Sequence, residues 1–236
     1  MSAPAPSRHE VWKMFDRIAS RYDLLNHLLS FNRDKYWRKR VGQMLPNRSD
    51  LISLDLATGT GDQLVSLYQT GKVSRGEGMD LAENMLAIGR TKIEKLGLSD
   101  KLVLKTGDAG KIPAPDSSAD VVTISFGIRN VTDVSSALKE MHRVLRPGGR
   151  LLVLEFSLPR NGLLRAGYLF YFRHILPILG GLISGDSYAY RYLNKTVETF
   201  PYGEAFCTLM TDADFKNVTA VPLTFGVASI YSGDKK

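Results

Sequence analysis

Hydrophobic positions between residues 50 and 156 switch repeatedly between two kinds of pattern. Short, continuous apolar runs predict buried strands, and apolar residues spaced three or four positions apart predict helices that cover them. The predicted strands span residues 51–56, 76–79, 102–105, 121–125 and 150–156, and the predicted helices span 63–69, 83–95 and 134–145. Strands that alternate with helices indicate βα units, so the sequence predicts an α/β fold with a parallel, doubly wound, Rossmann-like sheet.

The two ends of the chain follow other patterns. Residues 9–45 have helical spacing throughout and predict an N-terminal helical cap, and β-rich runs at 218–222 and 226–231 predict a C-terminal antiparallel hairpin. A chain of 236 residues is long for one domain and short for two. We expect a single domain, with the cap at 9–45, a cofactor-binding core at 50–156, an apolar substrate-side insertion at 157–200 and C-terminal strands at 201–236.

The segment 163–183 within the insertion is conspicuously apolar and aromatic, and it is nearly as long as a membrane span. Arg165, Arg173, His174 and Pro177 interrupt it, and charges at mid-span are costly for a single helix. Two interpretations remain open. The segment is either an insertion that lies over the sheet and touches a bilayer, or an ordinary buried pair of helices.

Gly59, Thr60 and Gly61 lie between the first predicted strand and the first predicted helix, where glycines let the backbone approach a ligand closely. The dinucleotide fingerprint needs a third glycine three residues after the second, where this chain has Leu64. A phosphate loop needs Lys and Ser or Thr after a glycine, whereas Asp62 follows here and would repel phosphate. The turn therefore favours an unphosphorylated nucleoside with positive charge, and S-adenosylmethionine is such a ligand.

Polar residues at the ends of other strands extend this prediction, because ligands of doubly wound sheets bind there. Asp80 comes 20 residues after Thr60, the distance at which an acidic side chain accepts hydrogen bonds from a ribose; a helix N-cap is the alternative. Asp108 and Ala109 are placed to bind an adenine amino group, unless Asp108 only forms a turn. Ser125 ends the fourth strand beside the cofactor, where a substrate would meet the methyl group.

Composition and charge narrow the class of protein. A single cysteine, Cys207, excludes an internal disulfide, and residues 1–7 lack the apolar stretch of a secretory signal, so we expect a cytoplasmic protein. The net charge is +7, and the first 50 residues hold ten Lys or Arg against five Asp or Glu. This excess suits nucleic acid, an anionic membrane surface or an ordinary solvated helix face.

Runs of residues along nearly the whole chain resemble the ubiquinone/menaquinone biosynthesis C-methyltransferases. The matching runs are 14–19 with Tyr22, Asp23 and Asn26, then 30–31, 37–38, 84–86, 123–133, 143–150, 154–157 and 190–193, together with Asp80. The most specific of them is 126–130, which reads Phe-Gly-Ile-Arg-Asn. Asn32 and residues 194–196 depart from the pattern, since the family usually has Gly and a Pro-Glu-Ser type run there.

The resemblance implies a class I methyltransferase that uses S-adenosylmethionine and methylates a prenylated quinol. It places cofactor contacts on Thr60, Asp80, Asp108, Ala109 and Ser125, to which the glycine turn adds Gly59 and Gly61. The prenyl tail would account for the apolar insertion as a tunnel or lid. Basic N-terminal residues would then rest on anionic lipid, at the inner face of the cytoplasmic membrane.

Carbon methylation of a quinol needs a deprotonated, electron-rich ring held in line with the methyl group. Arg129 is the first choice for stabilising the oxyanion, and a salt bridge that holds the following loop is its alternative role. Tyr22, Asn26 and His27 of the cap are expected to close over the ring, although His27 is equally suited to a helix surface. The chain has no Cys, His and carboxylate set with metal-ligand spacing, so we expect no metal.

Three other functions compete with this hypothesis. A nucleic-acid methyltransferase would carry an Asn/Asp-Pro-Pro-aromatic run after the fourth strand, where residues 125–128 read Ser-Phe-Gly-Ile, so we expect no nucleic-acid partner. A non-catalytic quinone-binding protein would not need the intact glycine turn. A methyltransferase of soluble phenols leaves the apolar insertion unexplained. The sequence leaves open whether the ring is a naphthoquinol or a benzoquinol, and whether the protein is a homo-oligomer.

Overall fold

The structure, a computed structural model, describes residues 10–178 and 187–236. A seven-stranded sheet lies at its centre, with the strand order β3-β2-β1-β4-β5-β7-β6. The strands are β1 Leu51–Leu56, β2 Val73–Asp80, β3 Leu102–Thr106, β4 Ala119–Ser125, β5 Leu145–Phe156, β6 Lys216–Leu223 and β7 Ala228–Asp234. Strands β1 to β5 are parallel, and β7 is antiparallel to both β5 and β6. This confirms the predicted Rossmann-like sheet with a C-terminal antiparallel hairpin.

The described helices surround this sheet. They are α1 Val11–Leu29, α2 Arg33–Gln43, α3 Asp62–Tyr68, α4 Glu83–Lys95, α5 Val134–Val144, α6 Gly162–Phe170, α7 Ser187–Thr199 and α8 Glu204–Asp212. Short 3₁₀ turns occur at Ile128–Asn130 and Thr224–Gly226, and a π-helical turn at Tyr171–Ile175 follows α6 directly.

Strand β5 differs most from its prediction. It begins at Leu145 rather than at residue 150, because Leu145 already pairs with Ala119 before the register shifts across a turn. Gly148 in that turn has a φ of +77°, and a Cβ on Gly149 would lie 3.0 Å from the carbonyl oxygen of Asp120. The turn is therefore a bulge inside one strand, which places glycines where the backbone is crowded or left-handed.

Side chains of β5 alternate between the two faces of the sheet. Leu151 and Val153 belong to the cluster that includes α5 and α8, whereas Leu152 and Leu154 belong to the cluster around Trp37 of α2. A strand buried on both faces needs helices on both sides, which is why its sequence is a continuous apolar run. The sheet is doubly wound, as its pattern predicts.

One apolar cluster joins the cap to the insertion. Val11 and Met14 of α1 pack with Phe172 and Leu176, which follow α6. No residue of α6 itself is buried, whereas Phe172 and Leu176 after it are, so the described part of the segment is buried on its C-terminal side only. Residues 179–183 of the predicted segment lie outside the described residues. The ring of Phe172 lies 6.3 Å from that of Phe156 at the end of β5. None of the described helices has the length and hydrophobicity needed to cross a bilayer.

Candidate active site

A cavity lies at the carboxyl ends of β1, β2 and β4, under the cap. This first cavity is lined by Val11, Trp12, Phe15, Tyr22, Ala57, Gly59, Asp80, Leu81, Met85, Gly107, Asp108, Ala109, Ser125, Phe126, Gly127, Asn130, Val131 and Thr132. Five residues predicted to contact the cofactor, Gly59, Asp80, Asp108, Ala109 and Ser125, are among them. The structure thus brings together residues that are up to 66 positions apart, as the parallel strand order requires.

The glycine turn supports this cavity in a different way from the one expected. Gly59 and Gly61 have φ values of +57° and +79°, which glycine adopts without strain. The backbone N–H of Gly59 donates to Asp80 Oδ2 at 2.8 Å, and that of Gly61 donates to the carbonyl oxygen of Thr58 at 3.0 Å. Both groups have protein partners, and Gly61 does not line the cavity. The turn acts through its shape and through Asp80.

Thr60 faces the cap rather than the first cavity. Its hydroxyl donates to Asp23 of α1 at 2.7 Å, and Lys92 of α4 donates to Asp23 at 2.8 Å and to Asp62 at 2.5 Å. Burial works against the charge of Lys92, but the two carboxylates raise its pKa overall. The four residues form a latch between the cap and the core, and the role of Thr60 as a direct cofactor contact stays a prediction.

Two carboxylates in the first cavity keep free capacity to accept hydrogen bonds. Asp80 accepts from the N–H of Gly59 with one oxygen and from the N–H of Ala82 at 2.9 Å with the other, and the backbone of Leu81 also bonds to this carboxylate. A carboxylate has about four lone-pair sites, so Asp80 can still accept from a ligand. Burial raises the pKa of Asp80 despite these bonds. Asp108 is exposed and accepts from the N–H of Gly110 at 2.8 Å through Oδ1. The predicted turn bonding of Asp108 is therefore present, whereas Asp80 is not the N-cap of α4, because that position is Ala82 and carries no side-chain cap hydrogen bond.

Asp55 lies beneath the turn and is fully enclosed. It accepts hydrogen bonds from the hydroxyls of Thr123 at 2.5 Å and Thr58 at 2.6 Å. Burial outweighs these bonds and raises the pKa of Asp55 from 3.8 to about 6. This carboxyl does not line the first cavity, so its chemistry concerns the stability of the turn.

The loops after β1 and β4 meet behind the first cavity. A Cβ on Gly127 would lie 2.4 Å from the Cβ of Ala57, which is closer than real side chains approach. Ala57 and Phe126 have φ values of +47° and +59°, and left-handed backbone is strained for residues that carry a Cβ. Strain of this kind concentrates at functional sites, where the surrounding structure holds it in place.

A second cavity adjoins the first and lies between the cap, β4 and β5. It is lined by Met14, Phe15, Ile18, Tyr22, Asn26, Ser30, Asp34, Trp37, Arg38, Phe126, Arg129, Phe156, Tyr192 and Leu193. Phe15, Tyr22 and Phe126 line both cavities. A molecule in one cavity would therefore meet a molecule in the other at these three side chains.

Aromatic rings form one wall of the second cavity. The ring centroids of Phe126 and Phe156 are 4.5 Å apart, and Trp37 lies 5.9 Å from Phe126 and 6.3 Å from Phe156. The indole N–H of Trp37 donates to the hydroxyl of Thr224 at 2.8 Å, which fixes the indole. Such a wall suits a flat, apolar ring system.

Two buried guanidinium groups border this wall. Arg129 Nη1 donates to Glu155 at 2.7 Å and to the carbonyl oxygen of Phe126 at 2.6 Å. The guanidinium of Arg38 lies 5.7 Å from the ring of Phe126. The Nε atoms of Arg129 and Arg38 are both buried without a hydrogen-bond partner. The predicted salt-bridge role of Arg129 is present, with Glu155 as its partner, and the same side chain also lines the second cavity.

Comparison with known proteins decides the family. A model described as the ubiE/COQ5 methyltransferase family matches residues 5–235. The chain belongs to the ubiE/COQ5 methyltransferase family. A demethylmenaquinone methyltransferase of Thermus thermophilus is 48% identical and aligns with 94% of this chain and 100% of its own. The ubiquinone/menaquinone biosynthesis C-methyltransferase UbiE of Geobacter sulfurreducens is 44% identical, over 94% of this chain and 87% of its own. The predicted S-adenosylmethionine-dependent methyltransferase is confirmed.

Solved structures share the fold of this ubiE/COQ5 family member at low identity. An S-adenosylmethionine-dependent methyltransferase of Thermotoga maritima has a TM-score of 0.67 at 21% identity, covering 95% of this chain and 99% of its own. The [4+2]-cyclase SpnF has a TM-score of 0.65 at 16% identity, covering 99% and 97%. Since a cyclase has the same fold, these likenesses establish architecture alone.

Several cavity residues of this ubiE/COQ5 family member were missed by sequence reasoning, above all Asp34 and Arg38. A signal was present: residues 37–38 belong to the matching runs, and Asp34 lies one helical turn before Arg38, hence on the same face of α2. The packing of that face against the loop after β4 is a long-range contact that spacing does not reveal. Tyr22 and Asn26 of the cap line the second cavity as expected, whereas His27 does not.

Proposed function

We propose that the protein transfers a methyl group from S-adenosylmethionine to a ring carbon of demethylmenaquinol, a prenylated naphthoquinol. The observation that carries the proposal is the junction of the two cavities at Phe15, Tyr22 and Phe126, one bordered by carboxylates and the other by aromatic rings and guanidinium groups. The relatives named above, one of them a demethylmenaquinone methyltransferase, support the choice of substrate.

The residues of the first cavity fit S-adenosylmethionine. The remaining acceptor capacity of Asp80 suits a ribose hydroxyl, Asp108 suits an adenine amino group, and Ala109 and Val131 offer apolar surface to the base. When bound, S-adenosylmethionine supplies an electrophilic methyl group on a sulfonium. The protein's part is to hold that methyl group at the junction and to exclude water, and the aromatic side chains of Phe15 and Tyr22 do both from the cap.

The second cavity provides what a quinol ring needs. Rings on one wall pack against the flat aromatic system, and the charges of Arg129 and Arg38 stabilise negative charge on the ring oxygen as it forms. Burial raises the pKa of Tyr22, so its hydroxyl remains a hydrogen-bond donor at neutral pH. The side chains thus favour the electron-rich phenolate that carbon methylation requires.

A benzoquinol of the ubiquinone series is the second candidate substrate, because the relative from Geobacter sulfurreducens is named for both quinones. The deciding assay incubates the purified protein with isotope-labelled S-adenosylmethionine and either demethylmenaquinol or the demethylated benzoquinol, followed by mass spectrometry. We expect label in menaquinol. Label in neither quinol would reject the proposed function, and label in the benzoquinol alone would reassign the ring.

Binding of the prenyl tail would explain why apolar residues near the cap are exposed. Exposed apolar side chains lie at or just after the C-terminal ends of α1 and α6: Leu24, Leu28, Phe31, Phe170, Ile175 and Ile178. Phe31 and Tyr171 lie 6.2 Å apart, so the two groups are adjacent. We propose that this surface receives the tail and rests on an anionic membrane at the inner face of the cytoplasmic membrane. Flotation with anionic vesicles tests the contact, and unbound protein at low salt would count against it.

A further inference from the structure

A buried carboxylate of the second cavity has no place yet in the proposed reaction. Asp34, in the first turn of α2, lines that cavity and is only 3% exposed. One of its oxygens accepts a hydrogen bond from the hydroxyl of Ser30 at 2.8 Å, and the other lies 2.7 Å from Nδ1 of His27. Among the described residues its ion-pair partner is this histidine alone, not Lys or Arg.

The contacts of Asp34 position its carboxylate more firmly than a helix start requires. The turn before α2 contains two left-handed residues, Phe31 at φ +53° and Asn32 at φ +59°, and Ser30 Oγ already accepts the N–H of Asp34 at 3.3 Å. A serine or asparagine at position 34 would complete such a turn. A carboxylate beside a largely apolar cavity carries a desolvation cost that a neutral residue would avoid. A chemical role in the second cavity would explain why position 34 carries a carboxylate.

We propose that Asp34 is the residue that accepts the proton of the substrate hydroxyl, and that His27 and Ser30 are its positioning residues. This inference rests on the proposed quinol methylation. His27 also lines an open groove with Lys35, Lys39 and Asp62 on the outer side of α2. The pair of Asp34 and His27, called the dyad below, therefore connects the second cavity with solvent. Each Asp34 oxygen has one protein partner and keeps a second lone pair for the substrate.

The step balances without a further reactant. The hydroxyl O–H bond breaks, its proton passes to the Asp34 carboxylate, and its electron pair enters the ring. The activated ring carbon then forms the new C–CH₃ bond while the S–CH₃ bond breaks and leaves its electron pair on sulfur. The hydrogen on that carbon leaves as a proton to solvent when aromaticity returns, and the ring oxygen regains a proton from Asp34. One proton is released in total, which matches the conversion of a sulfonium into a neutral thioether.

Charged groups around the dyad favour transfer of the proton from the substrate hydroxyl to Asp34. The titratable and charged groups that line the second cavity or the groove beside Asp34 and His27 are Tyr22 and His27 of α1, Lys35, Arg38 and Lys39 of α2, Asp62 of α3, Lys72 before β2, Arg129 after β4 and Tyr192 of α7. Arg38 lies one turn after Asp34 on the same face of α2, so its guanidinium balances the carboxylate before transfer and the ring oxyanion after it. The charge of the site is therefore nearly unchanged by the step.

The test compares Asp34→Asn with the wild-type protein on demethylmenaquinol over pH 6 to 9. The amide keeps an oxygen for His27 and removes the base. We expect normal affinity for S-adenosylmethionine, a kcat lowered by roughly 10² to 10⁴-fold at pH 7, and a kcat that rises about tenfold per pH unit while the wild type stays flat. A ring-fluorinated demethylmenaquinol, whose hydroxyls are more acidic, should recover much of the lost rate. Glu10→Gln, which removes an exposed pair with Lys13 on α1, is the matched control.

Each outcome decides the proposal. An Asp34→Asn enzyme with wild-type kcat would overturn it, as would an equal loss at every pH and with both substrates alongside a lowered melting temperature. If that variant does not fold, Ser30→Ala leaves the carboxylate in place, and a pH profile of kcat identical to wild type would then contradict the positioning role. A wild-type protein that methylates no quinol would reject the proposed function itself, which separates the two failures.

Discussion

Arg129 is the residue whose structural and chemical roles are hardest to separate. Its guanidinium is 4% exposed and pairs with Glu155, which is 2% exposed, so truncation of either partner would leave a buried charge without its counter-ion. Breaking such a pair costs about 3 to 5 kcal/mol. A simple alanine variant would therefore lose activity for two different reasons.

We expect the double variant Arg129→Met with Glu155→Gln to isolate the chemical role, because it removes both charges together. Its kcat with demethylmenaquinol should fall at least about tenfold, since one donor to the oxyanion is lost. Affinity for S-adenosylmethionine, measured by calorimetry, should remain near normal, because Arg129 lines only the second cavity. A folded double variant with unchanged kcat would remove Arg129 from the mechanism.

Asp55 makes the stability of the protein depend on pH. Its pKa rises from 3.8 to about 6 on folding, so the folded state binds the proton more tightly. The stabilisation is fully present below pH 3.8 and is lost as the pH rises through about 6, with a limit of roughly 3 kcal/mol. Asp55→Asn cannot titrate, so the wild type should lose stability relative to this variant between pH 4 and pH 7 in urea titrations. A difference that is independent of pH would contradict this.

At the level of elements, the bounds of strands and helices could be predicted where local periodicity determines them. Features that depend on packing between distant parts of the chain could not be predicted. Strands β1 and β4 and helix α4 were predicted at their observed bounds or within two residues, because each combines a clear period with glycine or acidic residues at its end. The bulge at the start of β5 depends on pairing with β4, and the direction of the Thr60 side chain depends on the cap. Strand β4 is distant in sequence from the bulge that it pairs with, and the cap is distant from Thr60.

The contact between the loops after β1 and β4 should be sensitive to a single methyl group. Gly127→Ala would collide with Ala57, whose Cβ would lie 2.4 Å away, and overpacking of this kind costs about 1 to 3 kcal/mol. We expect weaker S-adenosylmethionine binding and a lower melting temperature. Ala57→Gly should restore both in the double variant, since Ala57 has a φ of +47°, which glycine adopts readily. Failure of that rescue would show that the methyl clash is not the cause.

The cap should loosen when its polar ties to α4 are cut. Asp16 accepts from the backbone and side chain of Asn84 at 2.7 and 2.8 Å, and Asp23 accepts from Lys92. We expect Asp16→Ala with Asp23→Ala to raise KM for both substrates several-fold and to expose α1 to limited proteolysis, while the core stays folded. The control Glu10→Gln, at the N-cap of the same helix, should do neither. Equal protease resistance of the double variant would contradict a latch.

On the scale of the whole molecule, the site forms where three parts of the chain meet. The sheet supplies Asp80 and Ser125, the cap supplies Tyr22, and the end of β5 supplies Phe156 with its link to the insertion. Sequence reasoning located the first cavity because its residues follow predicted strands of a doubly wound sheet, whose ligands bind at the carboxyl ends of the strands. The second cavity was recognised only through resemblance, since its walls come from elements whose mutual packing no local pattern encodes.

The central claim is that a methyl donor and a quinol ring occupy two cavities that join at Phe15, Tyr22 and Phe126. Its most direct test is a crystal structure of the protein with S-adenosylhomocysteine and demethylmenaquinol. The account predicts the ribose at Asp80, the sulfur facing the junction and the ring against Phe126 and Phe156. A quinol ring bound outside the second cavity, with its reactive carbon directed away from the sulfur, would contradict it.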